Sequence, residues 1–408
     1  MQRIALLSVL LAFALTLGLG VTGVKGVVPV SKSESESSSQ NLAERQAEFS
    51  FELFARIVET DFGENIFISP TSALLALAMT YAGAGGETKA AMAEALELAG
   101  IDRNEAAESL GKLAESLENI DPEVELNIAN SVWAKKGLRF KKEFFETVGE
   151  YFDAEMRELT DAGEINRWVS KETKEKIKSI IDRIRPEDIM VLINAIYFKG
   201  MWTSKFDSAD TRELDFTLLD GSKKKHPLMT QSDEFRYYET EDFQAVSLPY
   251  GNKKLSMYVF LPSQQLGLRQ FLADLDAENW RTWLRMFRKT EGDITLPRFK
   301  LEYERELNDV LKALGMEIAF NPTKADFSGM YEISPDQNVF ISKVKQKTYV
   351  EVNEEGTEAA AVTSVTMTLT SAMGPSEKFT MIVDRPFFCV IYDEESGTPL
   401  FMGAVVDP

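Results

Sequence analysis

The 408-residue sequence holds one histidine, His226, and one cysteine, Cys389. A Ser-His-Asp relay would need His226, which lies between Lys225 and Pro227 in a segment that reads as an exposed turn. Cys389 falls in the apolar run Phe387 to Tyr392, where a thiol is expected to be buried and inert. There is no Gly-x-Ser-x-Gly elbow, His-Glu-x-x-His helix, Cys-x-x-Cys pair or Gly-x-x-x-x-Gly-Lys-Ser/Thr loop, so zinc, phosphate-loop and cysteine chemistries have no support. The 65 acidic residues offer many carboxylate pairs, but no spacing singles out one couple. The expectation is a protein that is not an enzyme, with no catalytic residue, no cofactor and no metal.

One segment has an unusual double character. Glu354-Glu355-Gly356-Thr357-Glu358-Ala359-Ala360-Ala361-Val362-Thr363 runs into Ser364-Val365-Thr366-Met367-Thr368-Leu369-Thr370-Ser371, and no residue from Thr357 to Ser376 is basic. Taken alternately, Thr357, Ala359, Ala361, Thr363, Val365, Met367 and Leu369 form a small-then-apolar face. Glu358, Ser364, Thr366, Thr368 and Thr370 form a mostly polar one, which is the period of a half-buried strand. The same residues are small and polar and precede Gly374-Pro375-Ser376, which is loop chemistry. Pattern alone admits an ordinary edge strand leading into a turn, or a segment able to be either loop or strand. Thr357, Ala359, Ala361 and Thr363 could enter a sheet interior at little steric cost, whereas a large or charged residue would be overpacked or buried unpaired.

The body that carries this segment is expected to be mixed α/β. Ala47, Phe51, Phe54 and Val58 recur at helical spacing, giving an amphipathic helix with one buried stripe. Ser69 before Pro70 caps a second helix over Ala73 to Tyr81, and Glu87 to Ala99 reads as a third. Val191 to Phe198 is apolar except for Asn194, which predicts a central strand buried on both faces. Strands are further expected at Ala245 to Leu248, Leu255 to Leu261 and Phe387 to Tyr392, with a helix over Glu304 to Leu314. No tandem repeat is present.

The formal net charge of −20 disfavours nucleic acid and anionic membranes, because the long-range field repels phosphate. The run Lys223-Lys224-Lys225, flanked by Gly221 and Pro227, reads as a solvated turn. Residues 1–26 have the grammar of a secretory signal peptide, with Arg3 before an apolar run from Ile4 to Leu19. That run is also close to the roughly 20 residues of a membrane span, so a retained anchor is the alternative. Residues 27–40 include the Ser- and Glu-rich stretch Ser31 to Gln40, expected to be a flexible linker. A single folded domain follows over 41–408. One cysteine permits no internal disulfide, and no Asn-x-Ser/Thr acceptor with a permitted middle residue occurs.

Gly356-Thr357-Glu358-Ala359-Ala360-Ala361, preceded by Val352-Asn353-Glu354-Glu355, closely resembles the hinge of the reactive loop in inhibitory serpins. Further matches follow in family order: Asn65-Ile66-Phe67-Ile68-Ser69-Pro70, Asn194-Ala195-Ile196-Tyr197-Phe198-Lys199-Gly200-Met201-Trp202, Leu296-Pro297-Arg298-Phe299, Ala325-Asp326-Phe327-Ser328-Gly329, Arg385-Pro386-Phe387 and Pro399-Leu400-Phe401-Met402-Gly403. The resemblance covers roughly Asn41 to Pro408 and is to the inhibitory type, in a secreted, prokaryotic-like form. It implies three β-sheets, about nine helices and an exposed reactive loop at about 354–377. A target serine protease would cut that loop and be held as a covalent acyl complex while the hinge residues Gly356, Thr357, Glu358, Ala359, Ala360, Ala361 and Thr363 enter the main sheet. Asn194 and Trp202, with Ser69 and Ser72 on the helix beneath, match positions where that sheet parts. Many serpins carry a histidine where this chain has Gln346, so the hydrogen bonding there must differ.

Counting from Gly356 as typical inhibitory loops do places the scissile bond at Thr370-Ser371, with Leu369-Thr370 and Met373-Gly374 as alternates. None offers a basic residue, so subtilisin-, chymotrypsin- or elastase-like proteases fit better than a trypsin-like one with a carboxylate in its pocket. The expected protein is an extracellular monomer, free of the membrane once its leader is removed. A non-inhibitory carrier or chaperone of the same fold is the alternative, and an exported hydrolase a more distant one.

Overall fold

The apolar run at Val191–Phe198 becomes the middle of a 12-residue strand, Met190–Met201, every residue of which is buried or nearly so. A run without polar alternation needs cover on both faces, and the fold supplies it. This is seen in a computed structural model that describes residues 32–118, 120–152, 155–332, 338–357 and 378–408. Its strands are β1 (Ile66–Ile68), β2 (Val124–Lys135), β3 (Glu155–Leu159), β4 (Met190–Met201), β5 (Arg212–Thr217), β6 (Lys223–Glu239), β7 (Phe243–Tyr250) and β8 (Leu255–Pro262). They continue with β9 (Arg288–Pro297), β10 (Phe299–Glu306), β11 (Lys343–Asn353), β12 (Gly356–Thr357), β13 (Phe379–Ile382), β14 (Phe387–Asp393) and β15 (Thr398–Val405).

The main sheet has the order β10-β11-β12-β4-β2-β3, with β11 also pairing directly to β4. The other nine strands form one hydrogen-bonded sheet, β1-β15-β14-β8-β7-β6-β9-β13 with β5 on β6. The resemblance implied three sheets. Two are counted by hydrogen bonding because the 17-residue β6 passes from pairing with β5 and β9 to pairing with β7, joining the two smaller sheets.

Nine α-helices lie among the described residues. Helix α1 (Lys32–Asp61) buries Ala47, Phe51 and Phe54. Helix α2 (Pro70–Gly83) is buried throughout its length, and its N-cap is Ser69, whose Oγ accepts from Ser72 N. It lies against the inner face of the main sheet, where Leu192, Ile196 and Phe198 of β4 join the large core. The alternate residues Val191, Ile193, Ala195 and Tyr197 face outward into a second cluster. That cluster is closed by the helix Ala162–Glu172 and by residues 173–189, a strap bringing Ile177, Ile180 and Ile181 to 2% exposure or less. Each such buried isoleucine stabilises the strap by roughly 1.5–3 kcal/mol.

Four sequence expectations are corrected. Ser31–Gln40 was expected to be a flexible linker, yet α1 begins at Lys32; a helix nucleated downstream extends at one hydrogen bond per residue, and Lys, Glu and Gln are good helix formers. The helix expected over Glu304–Leu314 is mostly something else: Phe299–Glu306 is a strand with alternating burial, and only Asn308–Leu311 is α-helical. His226 is not in an exposed turn but on β6, half-buried, with Nε2 2.5 Å from the Arg298 carbonyl oxygen; burial holds its pKa below the usual value. Lys223–Lys225 likewise start β6 rather than a turn, and Lys224 pairs with Asp407. Cys389 lies 1% exposed in β14, and burial pushes its thiol up to about 12.

Residues 1–31, including the leader read over 1–26, lie outside the described residues. Among the described residues no helix is long and apolar enough to cross a membrane.

Candidate functional site

β4 and β11 run parallel and pair residue for residue from Val191 with Lys343 to Tyr197 with Tyr349. Beyond Tyr197 they separate, and Gly356–Thr357, doubling back from β11, sits between them. Thr357 pairs with Val352 on one side and Gly200 on the other; Gly356 pairs with Asn353 and Met201. The main sheet is therefore closed along one length of this seam and wedged open at one end by two residues of its own chain.

Gly356 is required at the wedge. Its φ is +150°, and a Cβ would lie 2.1 Å from the Gly200 carbonyl oxygen, a contact no other residue could make without moving the strand. Thr357 is fully buried, and its hydroxyl shares a 2.7 Å hydrogen bond with the Tyr250 hydroxyl. Tyr250 stacks on Trp202 at 4.4 Å between ring centroids and 12° between planes. Trp202 Nε1 donates to Asn353 O at 2.9 Å, and Trp202 N donates to Glu355 O at 2.9 Å. These bonds hold the bend through which β11 turns back on itself.

Charges anchor the same bend. Glu354, 7% exposed, accepts from Arg298 Nε at 2.9 Å and also from Arg298 Nη2 and the Thr211 hydroxyl. Lys205 Nζ lies 2.5 Å from Glu355 Oε2. Burial pushes the Glu354 carboxyl up, but the bonds from Arg298 and Thr211 more than offset this and hold it below its ordinary value of 4.5.

At the middle of the closed part, neutral groups do the joining. Asn130, Asn194 and Gln346 stand in register on β2, β4 and β11. Asn194 Nδ2 donates to Asn130 Oδ1 at 2.6 Å and to the Ser72 hydroxyl. Gln346 Nε2 donates to Asn194 Oδ1 at 2.6 Å and to Ser69 O at 2.8 Å, while Gln346 Oε1 accepts from Ser69 N at 3.1 Å. Ser69 Oγ in turn donates to Leu400 O at 2.7 Å. Every polar atom of the Gln346 amide is used, which is what burial at 2% exposure demands. An amide thus fills a place where an imidazole would bring a proton that titrates near neutrality.

Ser69, Ser72, Asn194 and Gln346 are therefore brought together at mid-seam, and Trp202, Gly356 and Thr357 at the wedge. Glu358, Ala359, Ala360, Ala361, Thr363, Leu369, Thr370, Ser371 and Met373 lie outside the described residues. Sequence reasoning did not single out Tyr250, Asn130, Lys205, Thr211 or the Arg298–Glu354 pair. Arg298 and Glu354 stood inside quoted motifs, but 56 residues separate them and no local pattern predicts such a partnership. No spacing signal points to Tyr250.

A main sheet wedged open by two residues of its own chain, over a capped helix and beside a second sheet, defines a class. The family profile described as Serpin (serine protease inhibitor) matches residues 44–408. A serpin-like protein of Thermococcus kodakarensis is 35% identical over 370 residues, covering 88% of this chain and 84% of its own. Human neuroserpin is 32% identical over 382 residues, covering 89% and 90%. Tengpin, a thermophilic serpin solved in its native state, is 34% identical with a TM-score of 0.84, covering 90% of this chain and 95% of its own. Thyroxine-binding globulin in complex with thyroxine is 27% identical with a TM-score of 0.81, covering 90% and 99%. The chain belongs to the serpin family, whose members are generally protease inhibitors rather than enzymes and include thyroxine-binding globulin.

Two expectations follow from the site. Asn194→Ala removes the acceptor of Gln346 Nε2 and both donors to Asn130 and Ser72; the loss is expected at about 1–3 kcal/mol, read as a lower urea midpoint with unchanged slope. For Glu354, a folded pKa below the unfolded one means its stabilisation is present above about pH 4.5 and is lost as pH falls through the folded value. The denaturation temperature of Glu354→Gln should therefore lie below wild type at pH 7, with the gap closing below pH 4.5. A gap that stays constant from pH 7 to pH 3 would contradict the assignment.

Proposed function

We propose that this protein is a single-use trap for serine proteases of the subtilisin-, chymotrypsin- or elastase-like kind. The observation that carries the reading is the register of the seam. The offset between β4 and β11 is the same where they pair directly, as Asn194 with Gln346, and where Thr357 separates Gly200 from Val352. An antiparallel strand continuing from Thr357 would meet both neighbours level, with no slip of either. The strands need only move apart by one strand width, about 4.8 Å.

Extending that register two residues at a time sets Ala359 opposite Phe198 and Val350, Ala361 opposite Ile196 and Thr348, and Thr363 opposite Asn194 and Gln346. All of these would share the inward face of Thr357, where small side chains enter without overpacking. The Thr363 hydroxyl would arrive where the Asn194–Gln346 bond has to break, and can both donate and accept. The mid-seam network would then be re-satisfied rather than left with buried unpaired amides.

The chemistry begins at Thr370-Ser371, with the bonds after Leu369 and Met373 as alternates. The protease serine attacks the carbonyl carbon of the residue before the bond, the peptide bond breaks, and the new amine takes its proton from the protease histidine. The acyl ester remains. Insertion of the freed segment then carries the ester away from the hinge before water reaches it. No residue of this chain acts as acid, base or nucleophile. The leader over 1–26 directs export, and the mature protein acts outside the cell as a monomer.

The test mixes wild type and Thr357→Arg with subtilisin, chymotrypsin and trypsin and examines denaturing gels. Wild type should form an SDS-stable complex with the first two, releasing a C-terminal peptide that begins at Ser371 or at an alternate. Thr357→Arg should be cleaved without retaining protease, because a guanidinium cannot be buried beside Tyr250. Cleavage of wild type with no complex would instead favour the carrier or chaperone reading, for which thyroxine-binding globulin is the structural parallel.

A further inference from the structure

Away from the seam, one stretch of the chain departs from its overall charge. Lys135-Lys136-Gly137-Leu138-Arg139-Phe140-Lys141-Lys142 holds five basic residues and no acidic one. A net charge of −20 for the chain and +5 for this stretch leave −25 for the other 400 residues. The stretch joins the end of β2 to the helix Lys142–Phe152, and backbone bonds give it a fixed shape. Gly137 takes a φ of +90°, a conformation that favours glycine. Lys141 N donates to Met330 O at 2.7 Å, and Glu332 N donates to Arg139 O at 3.0 Å. Lys135 Nζ donates to Pro186 O at 2.9 Å.

The loop also brings aromatic rings to the surface. Phe140 packs on Tyr331 at 4.7 Å between ring centroids, on Phe144 at 6.2 Å and edge-on to Phe145 at 5.5 Å. Phe144 is buried, but Phe145 is 47% exposed, the most open of the large apolar side chains among the described residues. Lys136, Arg139 and Lys142 reach into water with side chains more than four-fifths exposed. The carboxylates that meet them, Glu158 at 3.5 Å, Glu332 at 3.9 Å and Glu146 at 2.8 Å, are themselves exposed. Such pairs hold little energy, so an incoming carboxylate can replace one with little loss. An open aromatic ring among basic side chains is the composition of a protein-binding surface rather than of a solvated turn.

We propose that the loop Lys135–Lys142 together with Phe145 is a docking surface for a second protein, recognised through a short acidic segment that carries a large apolar side chain. Carboxylates of that segment pair with Lys136, Arg139 and Lys142, and its apolar side chain covers Phe145. Charge decides the class of partner. A long polyanion would run past this loop onto a body that carries −25 and would be repelled there, and a sulfated polysaccharide brings nothing apolar to Phe145. A short acidic segment stays within the loop. The surface exists in the intact protein and does not depend on the trapping reading above.

The experiment uses the full-length protein without protease and reads fluorescence anisotropy of short labelled peptides. One peptide is a run of glutamates interrupted by phenylalanine, a second has alanine in place of phenylalanine, and a heparin oligosaccharide serves as the polyanion probe. The phenylalanine peptide should bind saturably at about 20 mM salt and weaken about tenfold or more by about 0.5 M. Lys136→Gln/Arg139→Gln/Lys142→Gln should weaken it about tenfold or more and Phe145→Ala about fivefold or more. Lys289→Gln, an exposed lysine on β9, should leave it unchanged. No saturable binding, or binding that either loop variant keeps at the wild-type level, would overturn the proposal. Equal binding of the alanine peptide, or tighter binding of the oligosaccharide, would show charge acting alone and would overturn the acidic, apolar partner. If Phe145→Ala does not fold, the triple variant and the alanine peptide decide by the same outcomes.

Discussion

Two parallel strands, β4 and β11, share an edge that has two ways of being satisfied. Closed, they bond to each other from Val191 and Lys343 to Tyr197 and Tyr349. Wedged, they bond to Gly356–Thr357 with the same offset. A gap with no strand in it would leave rows of buried N–H and C=O groups unpaired, each costing about as much as a lost hydrogen bond. The half-open state is thus disfavoured and the two filled states are not. The fully buried α2 on one face and the strap on the other keep the edge away from water, which is what makes the choice between them sharp.

The seam uses different chemistry at its two ends for a physical reason. At the wedge, Glu354 and Glu355 are tied by Arg298, Thr211 and Lys205, so the bend before Gly356 is held by charged groups. At mid-seam the joining groups are amides, hydroxyls and carbonyls. A buried charge there would be stranded when its partner moved off, whereas an amide can take a hydroxyl in exchange. Lys345 and Lys347 lie on the outer face instead, where strap carbonyls and Glu304 satisfy both ammoniums.

Much of the frame was legible in the sequence. The apolar run at Val191–Phe198 announced a doubly covered strand and Ser69-Pro70 a capped helix. Where reading failed, local pattern competed with context. Glu304–Leu314 is rich in helix formers, but Phe299 to Glu304 alternates apolar and charged residues and pairs with β11. His226 looked exposed between Lys225 and Pro227, yet β6 carries it against Arg298. Of the site, Ser69, Ser72, Asn194, Trp202 and Gln346 were singled out through the resemblance, whereas Tyr250, Asn130 and the Arg298–Glu354 pair, which only distant partners define, were not. Tyr250 meets Thr357 across 107 residues, and Lys345 meets Ile180 across 165.

If the seam is built to receive the hinge, cutting the chain once between Leu369 and Gly374 should make the protein more stable, because the freed segment completes a sheet that the intact loop could not enter. The most direct measurement is the denaturation temperature of the purified protein before and after that single cut, with the two fragments still associated. The account predicts that the cleaved form melts at a clearly higher temperature than the intact one. A cleaved form that melts at the same temperature or lower would show that the seam does not take up the segment, and the central claim would be wrong.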